Sequence, residues 1–447
     1  MTRASAATGR GGVKRSTAVI AGLAAALVML LLAAVVLGRS TDQPGKTVVT
    51  VRLWDEQVAK AYRKSFAEFT RRHRNIEVRV NVVAYSSYFD SLRTDVVGGG
   101  ADDIFWLTNA QLAGFADNGR LLDLSAMHGD WDHSVTAQFT RGEKLWAVPQ
   151  LTDGGIAVYY NADLLARSGV SPADLDDLRW GGPSDTLRPL LARLTVDRAG
   201  KHVGTPGFDP GQTRQWGYNA ANDLQGIYLN YIGSAGGVFQ VGDRFAFDNP
   251  AAIEAFSYLV RLINTDQVSP PASATNDNGD FSRNQFLQGK MALFQSGTYN
   301  LAAIADQARF RWGVAMLPIG PHGRVSVTDG VGAAVNADTA HPEAVRQVLD
   351  WMASAAGNAY LAAGGATIPA VRADQRGYFQ YWAHRHVDVT PFFAVLDGPR
   401  IAAPGGAGFA AGLRALKPYF DEMFMGRADV ASALARAQQA ANTAAAR

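Results

Sequence analysis

Residues 281–299 read FSRNQFLQGKMALFQSGTY, and this stretch says more about the fold than any other part of the chain. The spacing of its apolar residues predicts a helix that ends at Gly289, followed by a short apolar strand over 291–294. We expect the strand to lead into a loop with bare backbone, two hydroxyls and one aromatic ring, formed by Ser296, Gly297, Thr298 and Tyr299. Such a loop suits a polyhydroxylated ligand, although an ordinary helix–strand junction would give the same pattern.

The composition is that of a globular protein without thiol chemistry. Of the 447 residues, 47% are hydrophobic and 18% are charged, which suits two core-forming domains or one bilobed unit. The absence of cysteine excludes disulfides, Cys-based metal sites, thiol nucleophiles and a lipidated cysteine. Residues 1–41 hold five basic residues and no acid, so the remaining 37 of the 42 basic residues face 40 acidic ones. This mildly acidic body does not indicate nucleic-acid binding.

The N-terminal region predicts a membrane anchor. Residues 17–37 carry no charge and are long enough, at about 1.5 Å per residue, to cross a bilayer as a helix. The basic residues precede this run, so we expect residues 1–16 to stay in the cytoplasm and the body to be exported. Cleavage after Val36-Leu37-Gly38 is the alternative. Residues 38–46 are predicted to be a linker.

A β–α alternation begins after the linker. Period-two apolar runs predict strands over 49–53 and 76–82, and a third strand is predicted over 103–107, with helices between them. Short connections of this kind imply parallel strands with right-handed crossovers. Ligands bind such sheets beyond the carboxyl ends of the strands. Aromatic and polar residues follow each predicted strand, namely Trp54, Asp55, Tyr85, Trp106 and Asn109.

Several motifs together resemble one protein family. The 281–299 stretch is similar to the F-x-x-G-K-x-A-M-x-x-x-G-x-W signature of family 1 extracellular solute-binding proteins of carbohydrate ABC importers, with Tyr299 at the usual Trp position. Residues 149–163 resemble that family's P-x-x-x-D-x-x-x-L-Y-Y-N-x-D segment, which passes between its lobes. The resemblance spans roughly residues 46–440. Within the family, the sequence resembles actinobacterial and mycobacterial sugar-binding proteins, including an amino-sugar type.

The resemblance implies an α/β fold of the bilobed periplasmic-binding-protein type (type II), with two doubly wound lobes joined by a hinge. The implied division assigns 47–150 and 318–354 to lobe 1, and 151–317 and 355–447 to lobe 2. It also implies a monomer that captures a mono- or oligosaccharide or an amino sugar in the cleft. The partners would be a two-subunit permease with a cytoplasmic ATPase, and the body would be extracytoplasmic.

Sugar recognition requires planar hydrogen-bonding groups beside aromatic rings. The predicted ligand-binding residues combine both kinds and include two backbone glycines: Trp54, Asp55, Tyr85, Trp106, Asn109, Asp153, Trp216, Asn222, Ser296, Gly297, Tyr299, Asp329 and Gly330. Each has a structural alternative, such as a core position for the tryptophans or a helix cap for Asp55.

Enzymatic and cofactor functions find little support in the sequence. The adjacent acidic pairs at 102–103 and 176–177 would face opposite ways on a strand, unlike the carboxylates of a glycosidase. His384 and His386 lack a third metal ligand, and Gly289-Lys290 is not a phosphate loop. We therefore expect no enzyme activity, no metal and no cofactor. The alternatives are a glycerophosphodiester-binding protein, in which Arg372 or Arg400 would meet the phosphate, and a membrane-anchored cell-wall glycosidase.

Overall fold

A computed structural model describes residues 45–401 and 403–446. Its strands are β1 (Thr47–Leu53), β2 (Ile76–Val82), β3 (Ile104–Thr108), β4 (Thr140–Arg141), β5 (Lys144–Leu145), β6 (Val148–Thr152), β7 (Ala157–Asn161), β8 (Val196–Asp197), β9 (Thr213–Gln215), β10 (Gln240–Val241), β11 (Arg244–Phe245), β12 (Leu293–Ser296), β13 (Trp312–Ala315), β14 (Ser326–Val327), β15 (Gly330–Val335), β16 (Ile368–Pro369) and β17 (Arg400–Ile401).

The α-helices are α1 (Glu56–Arg72), α2 (Tyr85–Gly98), α3 (Asn109–Ala116), α4 (His133–Gln138), α5 (Ala162–Arg167), α6 (Leu187–Leu194), α7 (Leu229–Ser234), α8 (Pro250–Asn264), α9 (Ala272–Thr275), α10 (Phe281–Leu287), α11 (Leu301–Gln307), α12 (Pro342–Ala353), α13 (Ala355–Ala363), α14 (Arg372–His384), α15 (Thr390–Ala394), α16 (Phe409–Phe424) and α17 (Val430–Ala445). A π-helix covers Leu224–Tyr228. The helix and strand predicted within 281–299 are confirmed as α10 and β12, with the strand two residues later than expected.

The first lobe is built on a six-stranded sheet in the order β16-β6-β15-β3-β1-β2. β1 pairs in parallel with β2 and β3, which confirms the predicted β–α alternation. β15, β6 and β16 join in antiparallel fashion on the other side. The lobe's apolar core lies between this sheet and its helices, and includes Val49, Tyr62, Trp106 and Val348.

The second lobe differs from the expected doubly wound architecture. Its main sheet has three strands in the order β12-β7-β13, and both pairings are antiparallel. A large apolar core packs the helices α6, α8, α16 and α17 around the π-helix. The alternating pattern of the first lobe has no counterpart here, because residues 171–245 form short helices and strands of two or three residues separated by irregular chain.

Three segments connect the lobes. The first joins β6 to β7 through Asp153, and the second joins β14 to β15 through Asp329. The third runs through α14 and α15, and is tied to the first where the Gly155 N–H donates to the Phe392 carbonyl at 2.6 Å. These side-by-side crossings are where a hinge between the lobes would lie.

The packing divides the chain differently from the expected lobe boundaries. β16 pairs with β6 in the first-lobe sheet, so α13 and β16 pack with lobe 1 although lobe 2 was expected from residue 355. β14, in contrast, pairs with β17 of the second lobe although lobe 1 was expected from residue 318. Short strands of two residues, such as these, leave almost no periodic signal in the sequence.

Within residues 45–401 and 403–446, no helix combines the length and apolar character needed to span a bilayer. The predicted anchor at 17–37 lies outside the described residues.

Candidate functional site

The carboxyl ends of β1 and β2 present one wall of the cleft. Asp55 caps α1, and its carboxylate accepts hydrogen bonds from the Gln57 and Val58 N–H groups at 2.7 and 3.0 Å. The Trp54 ring is partly buried, with its centroid 5.6 Å from that of Tyr85 in an edge-on contact. Tyr85 is 59% exposed and begins α2, so its ring projects from the lobe.

The connecting segments supply two carboxyl groups. The Asp153 N–H donates to the Asp329 carbonyl at 3.0 Å, and the Thr328 hydroxyl donates to the Asp153 carbonyl at 3.0 Å. The Asp329 carboxylate accepts from the Gly330 N–H at 2.8 Å. Both aspartates therefore belong to the connecting segments and lie at the boundary between the two lobes.

The second lobe faces these groups with the start of the π-helix. Gln225 extends its side-chain amide to within 3.5 Å of the Asp153 carboxylate. Asp223 caps the π-helix by accepting from the Gly226 N–H at 2.9 Å. Two buried side chains stabilise the π-helix turn. Gln295 donates a hydrogen bond to the Gly226 carbonyl, and Asn230 donates one to the Gln225 carbonyl. π-Helices of one turn often occur at functional sites.

The loop after β12 adds an aromatic ring to the same side. Tyr299 is 38% exposed, and a side chain at Gly297 would place its Cβ 2.3 Å from that ring. The Gly297 carbonyl accepts from the buried Tyr159 hydroxyl at 2.8 Å. Glycine is therefore needed for the ring to take this position beside the loop.

The carboxyl groups influence one another across the cleft. Loss of hydration raises the pKa of Asp153 to about 8, and repulsion from Asp329 and Asp55 adds to the shift while the Gln225 amide opposes it. Loss of hydration also raises the pKa of Asp329 to about 7, and the hydrogen bond from the Gly330 N–H partly offsets this shift. The pKa values of Asp55 and Asp223 are raised for the same reason. In the described part of the chain, none of these four carboxyl groups has an ion pair within 4.0 Å.

The tyrosines respond to the same carboxyl groups. The pKa of Tyr85 is raised to about 12, first by loss of hydration and then by the negative charges of Asp329, Asp223 and Asp153. The Tyr85 ring is 59% exposed, so it is accessible to a ligand although protein groups surround it on several sides. The pKa of Tyr299 is also raised, chiefly by loss of hydration and then by Asp223. Groups from both lobes therefore line one cleft.

The structure brings six of the predicted site residues together, with two of the predicted glycines beside them. The six are Trp54, Asp55, Tyr85, Asp153, Tyr299 and Asp329. Gly297 and Gly330 lie in the adjoining backbone, and the Gly330 N–H is already engaged by Asp329 and by the Gln138 side chain.

Other predicted residues lie elsewhere. Trp106 is 0% exposed and packs edge-on beneath Trp54 at 5.0 Å, so it supports the cleft rather than lining it. The backbone of Trp216 forms an isolated β-bridge with Met291. Met291 precedes Ser296 by five residues, about 16 Å of extended chain, so Trp216 lies at the far end of this strand from the loop that carries Tyr299. Ser296 is 3% exposed and accepts a hydrogen bond from Asn300.

Two predicted amides are used inside the protein. The Asn109 side chain donates to the Ala403 carbonyl at 3.2 Å, and the Asn222 side chain donates to the Asp421 carboxylate at 3.1 Å. Both therefore bind α16 or the loop before it. Sequence reasoning missed Asp223 and Gln225 as site residues, although Asp223 follows Asn222 directly and signals a helix start.

The arginines proposed for a phosphate lie away from these carboxyl groups. Arg372 is exposed and ion-paired with Asp130. Arg400 donates to the Leu396 carbonyl at 3.0 Å, and it lines a separate cavity of about 250 Å³ in the second lobe with Gly236, Phe239 and Val325. Over residues 45–401 and 403–446, no group of three or more His, Asp or Glu side chains could hold a metal ion.

Comparison with known proteins agrees with this architecture. Residues 54–359 match the family model of the bacterial extracellular solute-binding protein. The crystal structure of M. tuberculosis UspC is 68% identical, with a TM-score of 0.70 over 89% of this chain and 100% of that one. An uncharacterized lipoprotein from the oleD 5′ region of Streptomyces antibioticus is 26% identical over 370 residues, which cover 78% of this chain and 75% of that protein.

The fold also matches the GacH receptor of Streptomyces glaucescens, solved unliganded and with acarbose. That chain is 20% identical, with a TM-score of 0.73 over 90% of this chain and 99% of its own. The bilobed fold expected from the sequence is confirmed, and the chain belongs to the bacterial extracellular solute-binding protein family.

Proposed function

We propose that the cleft captures a carbohydrate and delivers it to an ABC importer. The observation that carries this proposal is the convergence of aromatic rings and carboxyl groups from both lobes, with Trp54 and Tyr85 on one side and Tyr299, Asp223 and Gln225 on the other. Family membership supports solute capture outside the cytoplasm. Structural relatives solved with acarbose, maltose or mannotriose support a sugar as the solute.

The chemistry of the cleft suits a sugar. An aromatic ring packs against the C–H face of a pyranose, and a carboxylate accepts hydrogen bonds from two neighbouring hydroxyls. Asp153 and Asp329 stand at the hinge, so a ligand that binds them also touches the segments that move when the lobes close. Closure would then bury the sugar between the lobes.

An amino sugar fits the charge of the cleft best. Four carboxyl groups face the same space, and none of them is ion-paired within 4.0 Å among the described residues. Burial raises their pKa values, and the charge of Arg283 opposes the shift at Asp55 alone. A ligand ammonium group would add positive charge beside Asp153, Asp223 and Asp329 and stabilise their ionised forms. An amino sugar is therefore the ligand class that we propose.

The same charges disfavour the glycerophosphodiester alternative. A phosphate needs a nearby cation, whereas Arg372 is paired with Asp130 and Arg400 lies at a different cavity. Arg283, which acts on Asp55, is itself paired with Asp280. The glycosidase alternative would need one carboxyl group to act as acid and another as base or nucleophile. We propose that this chain acts by binding alone, as is typical of its family.

We further propose that residues 17–37 anchor the protein, with the body extracytoplasmic and monomeric. The uncharged run and the basic residues before it support this arrangement. A two-subunit permease with a cytoplasmic ATPase would be the partner of the sugar-loaded form.

Thermal unfolding and calorimetry of residues 42–447 test the proposed function. The probes are glucosamine, N-acetylglucosamine, glucose, maltose and glycerophosphocholine, since ligand binding raises the melting temperature. We expect glucosamine-type sugars to bind, and the Asp153→Asn variant to lose at least tenfold in affinity. Binding of glycerophosphocholine alone would reverse the assignment, and release of sugar products would identify an enzyme.

A further inference from the structure

One end of the first lobe carries a concentrated positive charge. Residues 56–74 contain six basic residues and two acidic ones, whereas residues 42–447 as a whole contain more acidic than basic residues. The side chains of Arg71 and Arg72 are 69% and 57% exposed, and Arg74 is also exposed. Glu68 is the neighbouring acid, and it pairs with both Arg71 and Arg72. We call Lys46, Arg71, Arg72 and Arg74 the basic end.

The basic end lies where the chain enters the first lobe. The Thr47 N–H donates to the Asn75 carbonyl at 2.8 Å, and Thr47 is the register partner of Ile76. Lys46 therefore sits beside the turn that follows α1. Residues 38–46 are nine residues, which reach at most about 30 Å, so the uncharged run at 17–37 ends within that distance of the basic end.

The basic end faces away from the sugar cleft. Asp55 caps the first turn of α1 at the cleft, whereas Arg71 and Arg72 occupy its last turn. A helix of 17 residues is about 25 Å long, which separates the two sites. A partner at the basic end would leave the cleft open to its ligand.

Contacts within the first lobe fix the positions of the arginines of the basic end. The Arg72 guanidinium lies over the Trp351 ring, 5.1 Å from its centroid, and Trp351 donates to the Ser65 hydroxyl at 2.9 Å. Arg71 and Arg72 at the carboxyl end of α1 also complement the helix dipole, so their positions do not depend on a partner.

We propose that the basic end rests on anionic lipid headgroups and orients the first lobe on the membrane surface. This inference rests on the proposed N-terminal anchor, because the anchor brings the basic end within reach of lipid. Exposed arginines on a short tether attract headgroup phosphates, and the attraction is limited to roughly one Debye length, about 8 Å at physiological salt. The contact would hold the lobe at the membrane between rounds of sugar delivery.

Vesicle flotation of residues 42–447 tests the proposal without the anchor. The crystallised UspC chain is 68% identical and matches 89% of this chain over 100% of its own length, so we expect residues 42–447 to fold without the preceding residues. We expect flotation with vesicles containing 30% phosphatidylglycerol and none with pure phosphatidylcholine, with the binding abolished by 0.5 M NaCl. Equal binding to both vesicles, or none to either, would overturn the proposal.

A matched pair of triple variants isolates the basic end. The test variant is Lys46→Gln, Arg71→Gln and Arg74→Gln, which leaves Arg72 on Trp351. The control is Arg309→Gln, Arg414→Gln and Arg427→Gln, which removes the same charge from exposed positions of the second lobe. We expect the test variant to lose about fivefold in partitioning per residue, roughly a hundredfold in all, and the control to bind like the parent protein. Equal losses in both variants would mean that only net charge matters and would refute the assignment.

The full chain provides an independent readout. Because it contains no cysteine, a single Asn75→Cys label reports the basic end in nanodiscs, and Ala431→Cys on α17 is the reference position. We expect a headgroup quencher to quench only the Asn75 label, and only in anionic nanodiscs; quenching that is the same at both positions counts against the proposal. Sugar affinity is measured in parallel. If neither the parent protein nor any variant binds sugar, the proposed function is refuted. Normal sugar binding without lipid contact would refute only this inference.

Discussion

The backbone N–H of Asp153 donates to the carbonyl oxygen of Asp329 at 3.0 Å, which ties two of the three lobe-connecting segments together beside the ligand cleft. The carboxyl groups of the same two residues both have raised pKa values. Under the proposed function, ligand recognition and lobe movement would share these two residues, so a change in the charge of this pair should alter both stability and binding.

The ligand-free protein should become less stable as the pH rises. An Asp ordinarily titrates near 3.8, but burial raises the pKa of Asp153 to about 8 and of Asp329 to about 7. The native state therefore keeps protons that the unfolded state releases, and their stabilisation is lost as the pH rises from about 4 to about 8. Urea unfolding at pH 5 to 8.5 should show a fall of roughly 1 kcal/mol per pH unit for each retained proton.

The double variant Asp153→Asn, Asp329→Asn is the control for this pH dependence. It cannot release the protons, so its stability should vary much less over the same range. A parent protein whose stability is flat or rises between pH 5 and pH 8.5 would show that both groups are already ionised.

The exposed ring of Tyr85 should contribute directly to sugar binding. Tyr85→Ala removes a ring that is 59% exposed, so the cost should be mainly in affinity. We expect roughly a tenfold loss, from about 1–1.5 kcal/mol of aromatic contact. Tyr85→Phe keeps the ring and should stay within threefold. Calorimetry distinguishes the outcomes, and an unchanged affinity for Tyr85→Ala would remove this residue from the site.

Trp54 and Trp106 should behave differently although they touch. Trp54 reaches the cleft, whereas Trp106 is 0% exposed and its indole N–H has no hydrogen-bond partner within the described residues. Trp54→Ala should weaken sugar binding about tenfold or more. Trp106→Phe should leave affinity nearly unchanged and cost stability through the cavity it creates. A large affinity loss for Trp106→Phe with normal stability would place that ring in the site after all.

Gly155 should tolerate no side chain at the hinge. A Cβ there would lie 2.3 Å from Val395 and 3.0 Å from the Phe392 carbonyl, between the first and third connecting segments. We expect Gly155→Ala to destabilise the protein by about 1–3 kcal/mol through overpacking. Gly364→Ala is the matched control, because nothing lies within 4 Å of a Cβ at that position. Similar urea midpoints for the two variants would show that the hinge relaxes around the extra methyl group.

Much of the first lobe could be predicted from local pattern. The strands at 47–53, 76–82 and 104–108 lie close to their expected positions. Alternating apolar residues indicate the first two directly, and the third is a short continuous apolar run in which residues 104–107 are buried. The second lobe gave weaker signals, and its antiparallel three-stranded sheet was not foreseen. Its strands come from distant parts of the chain, at 157–161, 293–296 and 312–315, and pairing at such separation has no local signature.

The candidate site was predicted in kind more than in detail. Residues that directly follow a strand or cross between lobes, such as Trp54, Asp55, Tyr85 and Asp153, lie at the cleft as the strand ends suggested. Asn109 and Asn222 have the right chemistry, but their amides bind the 403 loop and α16. Which polar side chains remain free depends on contacts more than 190 residues away along the chain.

The sequence alone determined the class of the protein: an α/β body with a β–α first lobe, a crossing after Pro149, and loops that pair aromatic rings with carboxyl or amide groups. Periodicity and strand-end position are local properties, so the chain displays them directly. Only the tertiary structure decided that Asp223 and Gln225 face Asp153, that Trp106 is core, and that the basic end of α1 points away from the cleft. Those relations depend on how the two lobes meet, and burial and charge at a meeting surface are set by both partners together.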